Sequence, residues 1–390
     1  MKSVYIASDN IITSLGTTTS ANWEALRNGQ VGIRNISDPL LYPSPMPLSR
    51  VDNDLLEESF QLLLKEYRQE PGASSFTRLE KLFILSVHDA VSGLPIDYRN
   101  KRTLFILSTT KGNINLLETN TDPLFPPQRA YLWELARVVT GFFGFSNTPL
   151  VISNACISGV IALMTAYRYL KQGLYDQAVV TGGDILSEFV IAGFQSFQSL
   201  SPLPCRPFDE HRDGLSLGEG AGTMVLTTAE GKGVGQQVKI TGASATNDAN
   251  HISGPSRTGE ELGLSLLNSL QEAGHQAEEI SFINAHGTAT RFNDEMESKA
   301  IAYAGMIQVP VNSFKGYWGH TMGAAGVIES VACVLALKEN VLIRTAGFEE
   351  PGVPEPIRVI TGTEKSEMKS CLKSASGFGG CNASILFEKV

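Results

Sequence analysis

One arrangement occurs twice in this chain, and it limits the folds open to it. In the first half a β-branched run, "LVIS" at 150–153, meets a small-residue turn holding Cys156 and then the helical stretch "IALMTAYRYLKQG". In the second half "VPVNSF" at 309–314 is followed by a turn, by "GHTMGAAG" with His320, and by the helical stretch "AAGVIESVACVLALKEN". Likewise "QAVVTGGDIL" has a counterpart in "CLKSASGFGGCNASILF". Each half therefore reads as strand, turn, helix, then a glycine-rich turn between paired strands. The polar, glycine-rich "TTAEGKGVGQQ" at 227–237 separates them, which predicts halves of 1–230 and 231–390. Two related halves that each carry part of one constellation place their chemistry on the seam between them.

The rest of the chain agrees with an α/β class. Strand candidates include "SVYIAS", "TLFILSTT", "GTMVLTT", "VKITGASAT", "EISFINAHG" and "ASILFEK". Helical candidates include "ANWEALRNG", "TRLEKLFILSVHDAVSG", "YLWELARVVTGFFG" and "EELGLSLLNSLQEAG". No window approaches the ~20 apolar residues of a membrane span, and the first residues lack a signal-peptide layout. A net charge of -9 gives no support to nucleic-acid binding. Five cysteines without a CxxC pair fit neither a disulfide framework nor a zinc site, so a reducing cytoplasm is the expected home.

Cys156 lies where unpaired N–H groups and the positive end of a helix dipole gather. A helix N-terminus stabilises a thiolate by roughly 0.3–1 kcal/mol, up to about 2 when partly buried. A cysteine is also an ordinary small core residue, and the position alone does not decide between the two. "GLSLG" at 214–218 has the GxSxG pattern, but a turn into a strand follows it, the reverse of a hydrolase elbow. "GEGAG" at 218–222 opens no helix and is not a dinucleotide fingerprint. His88, His211 and His275 lack ligand spacing, whereas His251 sits in "NDANHISGPS", a loop of the kind that lines sites. His286 ends the apolar strand "ISFINA" and His320 stands at a helix mouth. With Cys156 at a third strand end, these are the places where α/β sheets collect their binding sites.

The blocks "NACISG", "NAHGTATRFND", "NSFKGYWGHTMGAAGVIE" and "SGFGGCNASILF" resemble the signatures of β-ketoacyl-acyl-carrier-protein synthases, the elongating ketosynthases of the thiolase superfamily. The resemblance spans nearly the whole chain. It implies a thiolase-like fold, with two pseudo-symmetric halves of mixed five-stranded sheets in an αβαβα layering. It also implies a decarboxylative Claisen condensation, with acyl and malonyl acyl carrier protein as partners and no metal or organic cofactor. The assembly implied is a homodimer, or a heterodimer with a related subunit.

Carried over by motif, the catalytic triad is Cys156, His286 and His320. Cys156 and Phe378 supply the oxyanion-hole amides. Lys315 is the buried lysine, with Glu297 as its carboxylate partner. Thr288 and Thr290 hold pantetheine amides, Phe378 gates the tunnel, and Phe194, His251 and Lys111 join the substrate-binding set. Departures from the family pattern are Tyr317 and Trp318 beside His320, Arg291, and Gln198 where a carrier-contacting arginine is common, with Arg78 as its stand-in. Lys111 takes a usually apolar place at the end of the partner subunit's acyl tunnel. These changes weigh against a plain saturated fatty acyl substrate and admit polyketide or aryl-polyene-type synthesis. The competing readings are a chain-length-factor-like partner subunit, which usually lacks the cysteine, and a coenzyme A thiolase, for which Cys381 would be the second thiol.

Overall fold

The computed structural model describes residues 1–67, 75–118, 124–231, 236–249 and 254–390. Ten strands carry the architecture. They are β1 (Val4–Ile12), β2 (Thr103–Ser108), β3 (Leu150–Ile152), β4 (Gln177–Asp184) and β5 (Gly220–Thr227), then β6 (Val238–Asn247), β7 (Phe282–Asn284), β8 (Val311–Asn312), β9 (Ser370–Gly377) and β10 (Cys381–Lys389). Hydrogen bonding orders them β3-β2-β4-β5-β1 and then β6-β10-β9-β7-β8. Adding five to each label of the first set gives the second set in mirror order. The pairing directions repeat as well. In the first half β2 is parallel to β3 and β4, with β5 antiparallel to β4 and β1. In the second, β7 is parallel to β8 and β9, with β10 antiparallel to β9 and β6. The two mixed five-stranded sheets meet edge to edge through a short ladder, Val4 opposite Ile240 and Tyr5 opposite Lys239.

Five helices complete the layers: α1 (Arg78–Val91), α2 (Ser158–Lys171), α3 (Glu260–Ala273), α4 (Arg291–Tyr303) and α5 (Ala325–Glu339). α1 starts on a capping box, Thr77 with Glu80, and packs on β1, β4 and β5. α3 covers β6 and β10 and leans on α4. α2 and α5 touch strands of both halves and each other, so they form the central layer. α5 is apolar on nearly every side, as a fully enclosed helix must be. The two central helices cross where Gly159 meets Gly326. A Cβ on Gly159 would lie 2.7 Å from the Val327 nitrogen, so this crossing requires a residue without a side chain.

The helix Asn53–Glu66, the helix Glu188–Ser196 and α4 are not among the helices expected from the sequence. In α4 the residues turned inward include Asp294, Glu297 and Ser298, which hides the apolar stripe that marks a buried face. Among the described residues no helix is long and apolar enough to cross a membrane.

Candidate active site

Cys156 is lifted out of the sheet by a reversal of the chain at Ala155, whose φ is 43°. Such a left-handed conformation costs a residue with a side chain about 1–3 kcal/mol and persists where its surroundings enforce it. Ser158 enforces it: its hydroxyl accepts from the Asn154 amide at 2.8 Å and donates to the Ala155 carbonyl at 2.6 Å. Cys156 therefore precedes α2, with Ile157 as the N-cap. The turn at Gly377 closes over it, near enough that a Cβ there would lie 3.1 Å from the Cys156 nitrogen. That approach brings the neighbouring Phe378 to the same end of the cavity.

His286 follows β7 and is held by its main chain. The Glu297 carboxylate accepts from the His286 amide at 2.7 Å and from the Gly287 amide on its other oxygen. His320 is held between two stretches of the "GLSLG" segment. Its amide donates to the Ser216 carbonyl at 2.8 Å and its carbonyl accepts from the Gly218 amide at 3.0 Å. The GxSxG match is thus a support for His320 rather than a nucleophile elbow. The Met322 amide donates to His320 Nδ1 at 3.3 Å, which assigns the ring proton to Nε2. The two imidazole rings stand 5.1 Å apart and nearly perpendicular.

Sγ of Cys156 and one ring nitrogen of each histidine all lie within 4.8 Å of one another, and all three side chains are buried. They line a cavity of about 580 Å³ whose wall also carries Thr288, Thr290, Phe194 and Phe378. Phe378 is 37% exposed at the mouth, its ring 5.7 Å from Phe194 and 4.9 Å from Phe197. The hydroxyls of Thr288 and Thr290 are 2.9 Å apart. His251 lies outside the described residues.

Burial, followed by the charge of Lys315, pushes both histidines well below the ordinary 6.5, so both are neutral at physiological pH. Burial also pushes the Cys156 thiol from 9.0 up to about 12, with Lys315 opposing it. That rise corresponds to about 4 kcal/mol, more than the roughly 2 kcal/mol a helix terminus supplies. Burial wins, and Cys156 rests as a thiol. A soft metal ion does not suit this trio, because the His320 tautomer turns an N–H rather than a lone pair into the site.

Three expectations need correction. The partner of Lys315 is Glu329, with Nζ 2.6 Å from Oε1, whereas the Glu297 carboxylate is occupied by amides, Asn293 and Ser374. Glu297 sits where main-chain N–H groups converge, and Glu329 lies on α5 directly over the lysine. Tyr317 and Trp318 do not face the substrate. Both are wholly buried in the core around α2 and α5. Arg78 is not free for a carrier protein, since it pairs with buried Glu219 and donates to the Val51 carbonyl. Lys111 is exposed and lies off the cavity wall of its own chain, as a residue reaching toward a partner's tunnel would.

Three further residues hold the site together without having been expected from the sequence. Glu329 was legible, since an acid inside an apolar helix needs a buried partner. Lys373, wholly buried on β9, pairs with the second oxygen of Glu329. Asp184 accepts from the Thr109 hydroxyl, the Thr110 amide and the Gly323 amide, tying the loop after β2 to the turn after His320.

Cys156 is expected to be the first cysteine alkylated, because among the five buried thiols it is the one on the cavity wall. Its rate should climb about tenfold per pH unit well past neutrality, following the thiolate fraction. Peptide mapping that finds Cys381 or Cys205 modified first, or a rate flat above pH 7, would contradict this.

Comparison with known proteins agrees with this geometry. The N-terminal domain of β-ketoacyl synthases matches residues 1–231, and their C-terminal domain matches residues 238–349. The 3-oxoacyl-[acyl-carrier-protein] synthase 2 of Vibrio cholerae is 28% identical over 99% of each chain. A putative mitochondrial 3-oxoacyl-[acyl-carrier-protein] synthase of Schizosaccharomyces pombe is 29% identical over 100% of this chain and 99% of its own. A ketosynthase solved in complex with its chain length factor from Xenorhabdus doucetiae superposes with a TM-score of 0.82 at 25% identity, covering 100% of this chain and 98% of that one. With both domains matched in order along a thiolase-like fold, the chain belongs to the β-ketoacyl synthase family.

Proposed function

We propose that Cys156 carries the acyl group, and that His286 and His320 act on the extender, in a decarboxylative condensation of an acyl thioester with malonyl-acyl carrier protein. The observation that carries this reading is the convergence of one thiol and two neutral imidazoles within 4.8 Å on a single cavity wall. In this scheme residues 1–230 bring the nucleophile and residues 231–390 bring both histidines.

The chemistry follows from these protonation states. Since the resting thiol lies near 12, Cys156 loses its proton as Sγ bonds to the acyl carbonyl, and that proton ends on the departing carrier thiol. Malonyl thioester then enters, and breakage of its terminal C–C bond releases carbon dioxide and leaves an enolate. Nε2–H of His320 and the His286 ring donate to the enolate oxygen as charge develops, the step at which fixed donors act most strongly. The carbanion attacks the acyl-Cys156 carbonyl, whose oxyanion is received by the amides of Cys156 and Phe378. Collapse forms the β-ketoacyl carrier and returns Cys156, which takes up one proton.

A coenzyme A thiolase would need a second thiol on the cavity. Cys381 instead turns its Sγ to the Phe378 carbonyl at 3.4 Å. A chain-length-factor role leaves the intact trio unused.

Purified protein given malonyl and acyl carrier proteins is expected to yield β-ketoacyl carrier by mass, and no product would sink the reading. The active species is proposed to be a homodimer, with a heterodimer as the alternative. A monomer in sedimentation that becomes active with a related subunit would select the latter. In the dimer we place Lys111 at the end of the partner's tunnel. A desolvated ammonium there offsets several methylenes at about 0.8 kcal/mol each. Long saturated primers should therefore react poorly, and Lys111→Ile should move the preference toward them. An unaltered chain-length profile in that variant would remove Lys111 from the tunnel.

A further inference from the structure

Behind the two histidines lies a buried charge cluster that does not balance. Lys315 and Lys373 are each wholly enclosed, and they share one carboxylate, with Lys315 on Oε1 and Lys373 on Oε2 of Glu329. Lys373 also donates to the Ser374 carbonyl at 2.7 Å, so its Nζ is fixed in place. A lysine needed only to neutralise Glu329 is redundant, because Lys315 already does so. Burying the second ammonium costs stability, and the carboxylate it pairs with is already shared with Lys315, so no additional counter-charge comes with it.

We infer that Lys373 is a positioning residue for the proposed condensation: by placing a second ammonium on the one carboxylate of Glu329 it keeps the cluster behind the histidines positive, which adds to burial in holding His286 and His320 neutral and donating hydrogen bonds. This rests on the roles proposed above for those histidines. The groups facing the cluster are few. Burial raises Glu297 on α4 to about 7, with the neighbouring Asp294 adding to the rise, so it carries a partial negative charge at neutrality. Asp294, itself raised to about 6 by burial, has Arg212 nearby. The thiols of Cys156 and Cys371 also face it, with Cys333 against Cys371, and burial holds Cys156 and Cys371 in their neutral forms. The charges of Lys315 and Lys373 both press the two imidazoles toward the neutral form. Excess positive charge has a second consequence, since it favours the enolate formed when the malonyl carboxylate leaves.

The test is Lys373→Met, with Lys373→Arg as the conservative variant. Removing the lysine leaves a matched Lys315–Glu329 pair, so the methionine variant should unfold at the same or higher urea concentration than the parent. Its malonyl decarboxylation should fall about tenfold or more, and the acid limb of its pH profile should move up by about one unit. The arginine variant should keep the parent's profile. A readout independent of turnover comes from the ring signals of isotope-labelled histidine, only six in the chain. Two of them should protonate at higher pH in Lys373→Met than in the parent. Unchanged histidine titration overturns the inference, and so does a methionine variant that fails to fold, since Lys373 would then be structural. A parent that never decarboxylates malonyl carrier, while its histidines still shift, would instead count against the proposed reaction.

Discussion

Cys156→Ala is expected to lower condensation by roughly 10⁴–10⁶-fold, the loss seen when a nucleophile that works as part of a unit is removed. Malonyl decarboxylation should survive in the same variant, because the groups that receive the enolate oxygen are the imidazoles and not the thiol. His286→Ala and His320→Ala should do the reverse and cut decarboxylation by about 10²–10³-fold each, the usual cost of one donor to a developing oxyanion. The separation has a geometric basis. His286 hangs from the Glu297 carboxylate through its own amide, and His320 hangs from Ser216 and Gly218. Neither depends on Cys156 for its position. The two rings lie well below the ordinary imidazole range, so decarboxylation should hold level as pH falls from 8 through 6.5. Carbon dioxide release from malonyl carrier, followed in all three variants, is the measurement. If both histidine variants decarboxylate at the parent rate, the division of roles is wrong.

Much of the site was legible because its residues sit at chain reversals. Cys156 and His286 each follow a strand and His320 follows the short helix Lys315–Trp318, all three at small-residue turns, and small residues at such turns mark where the backbone must come close to something. The repeat was legible for the same reason: a β-branched run, a turn and a helix can be recognised from residue type alone. What sequence did not reveal were pairings made across the seam. Glu297 stands eleven residues after His286 and Glu329 fourteen after Lys315, and nothing local tells which carboxylate meets the lysine. The sheet decides, because β7 and β8 present the Lys315 segment to α5 and turn α4 toward amides instead. Lys373 was hidden more deeply. A lysine between Leu372 and Ser374 reads as the solvent side of an alternating strand, and only the helix layer on that face encloses it. The state of the thiol was left open by the sequence, because the dipole and burial act in opposite directions and only the enclosed site shows that burial is the larger effect.

The largest expected loss of stability follows from the same cluster. Glu329→Gln leaves Lys315 and Lys373 without their common counter-charge in a fully buried site. Breaking a buried ion pair by removing one partner typically costs about 3–5 kcal/mol, and here two cations lose it together. The lysines will escape part of that cost by shedding protons, which makes the loss depend on pH with a defined sign. A lysine whose folded pKa falls below its unfolded value of about 10.4 binds fewer protons in the native state, so stability rises with pH between those two values. Lys315 is already lowered in the parent by burial, so the parent should show a shallow slope of this sign. In Glu329→Gln the slope should steepen, toward about 1.36 kcal/mol per pH unit for each lysine that titrates. Urea midpoints at pH 7 and pH 9, taken at one protein concentration, measure it. Adding Lys373→Met to the glutamine variant should restore part of the lost stability at pH 7 and flatten the slope, since one unpaired cation remains rather than two. A double-mutant cycle over these positions isolates that coupling. A glutamine variant as stable as the parent at pH 7, with the same pH dependence, would show that the carboxylate does not hold the cluster together.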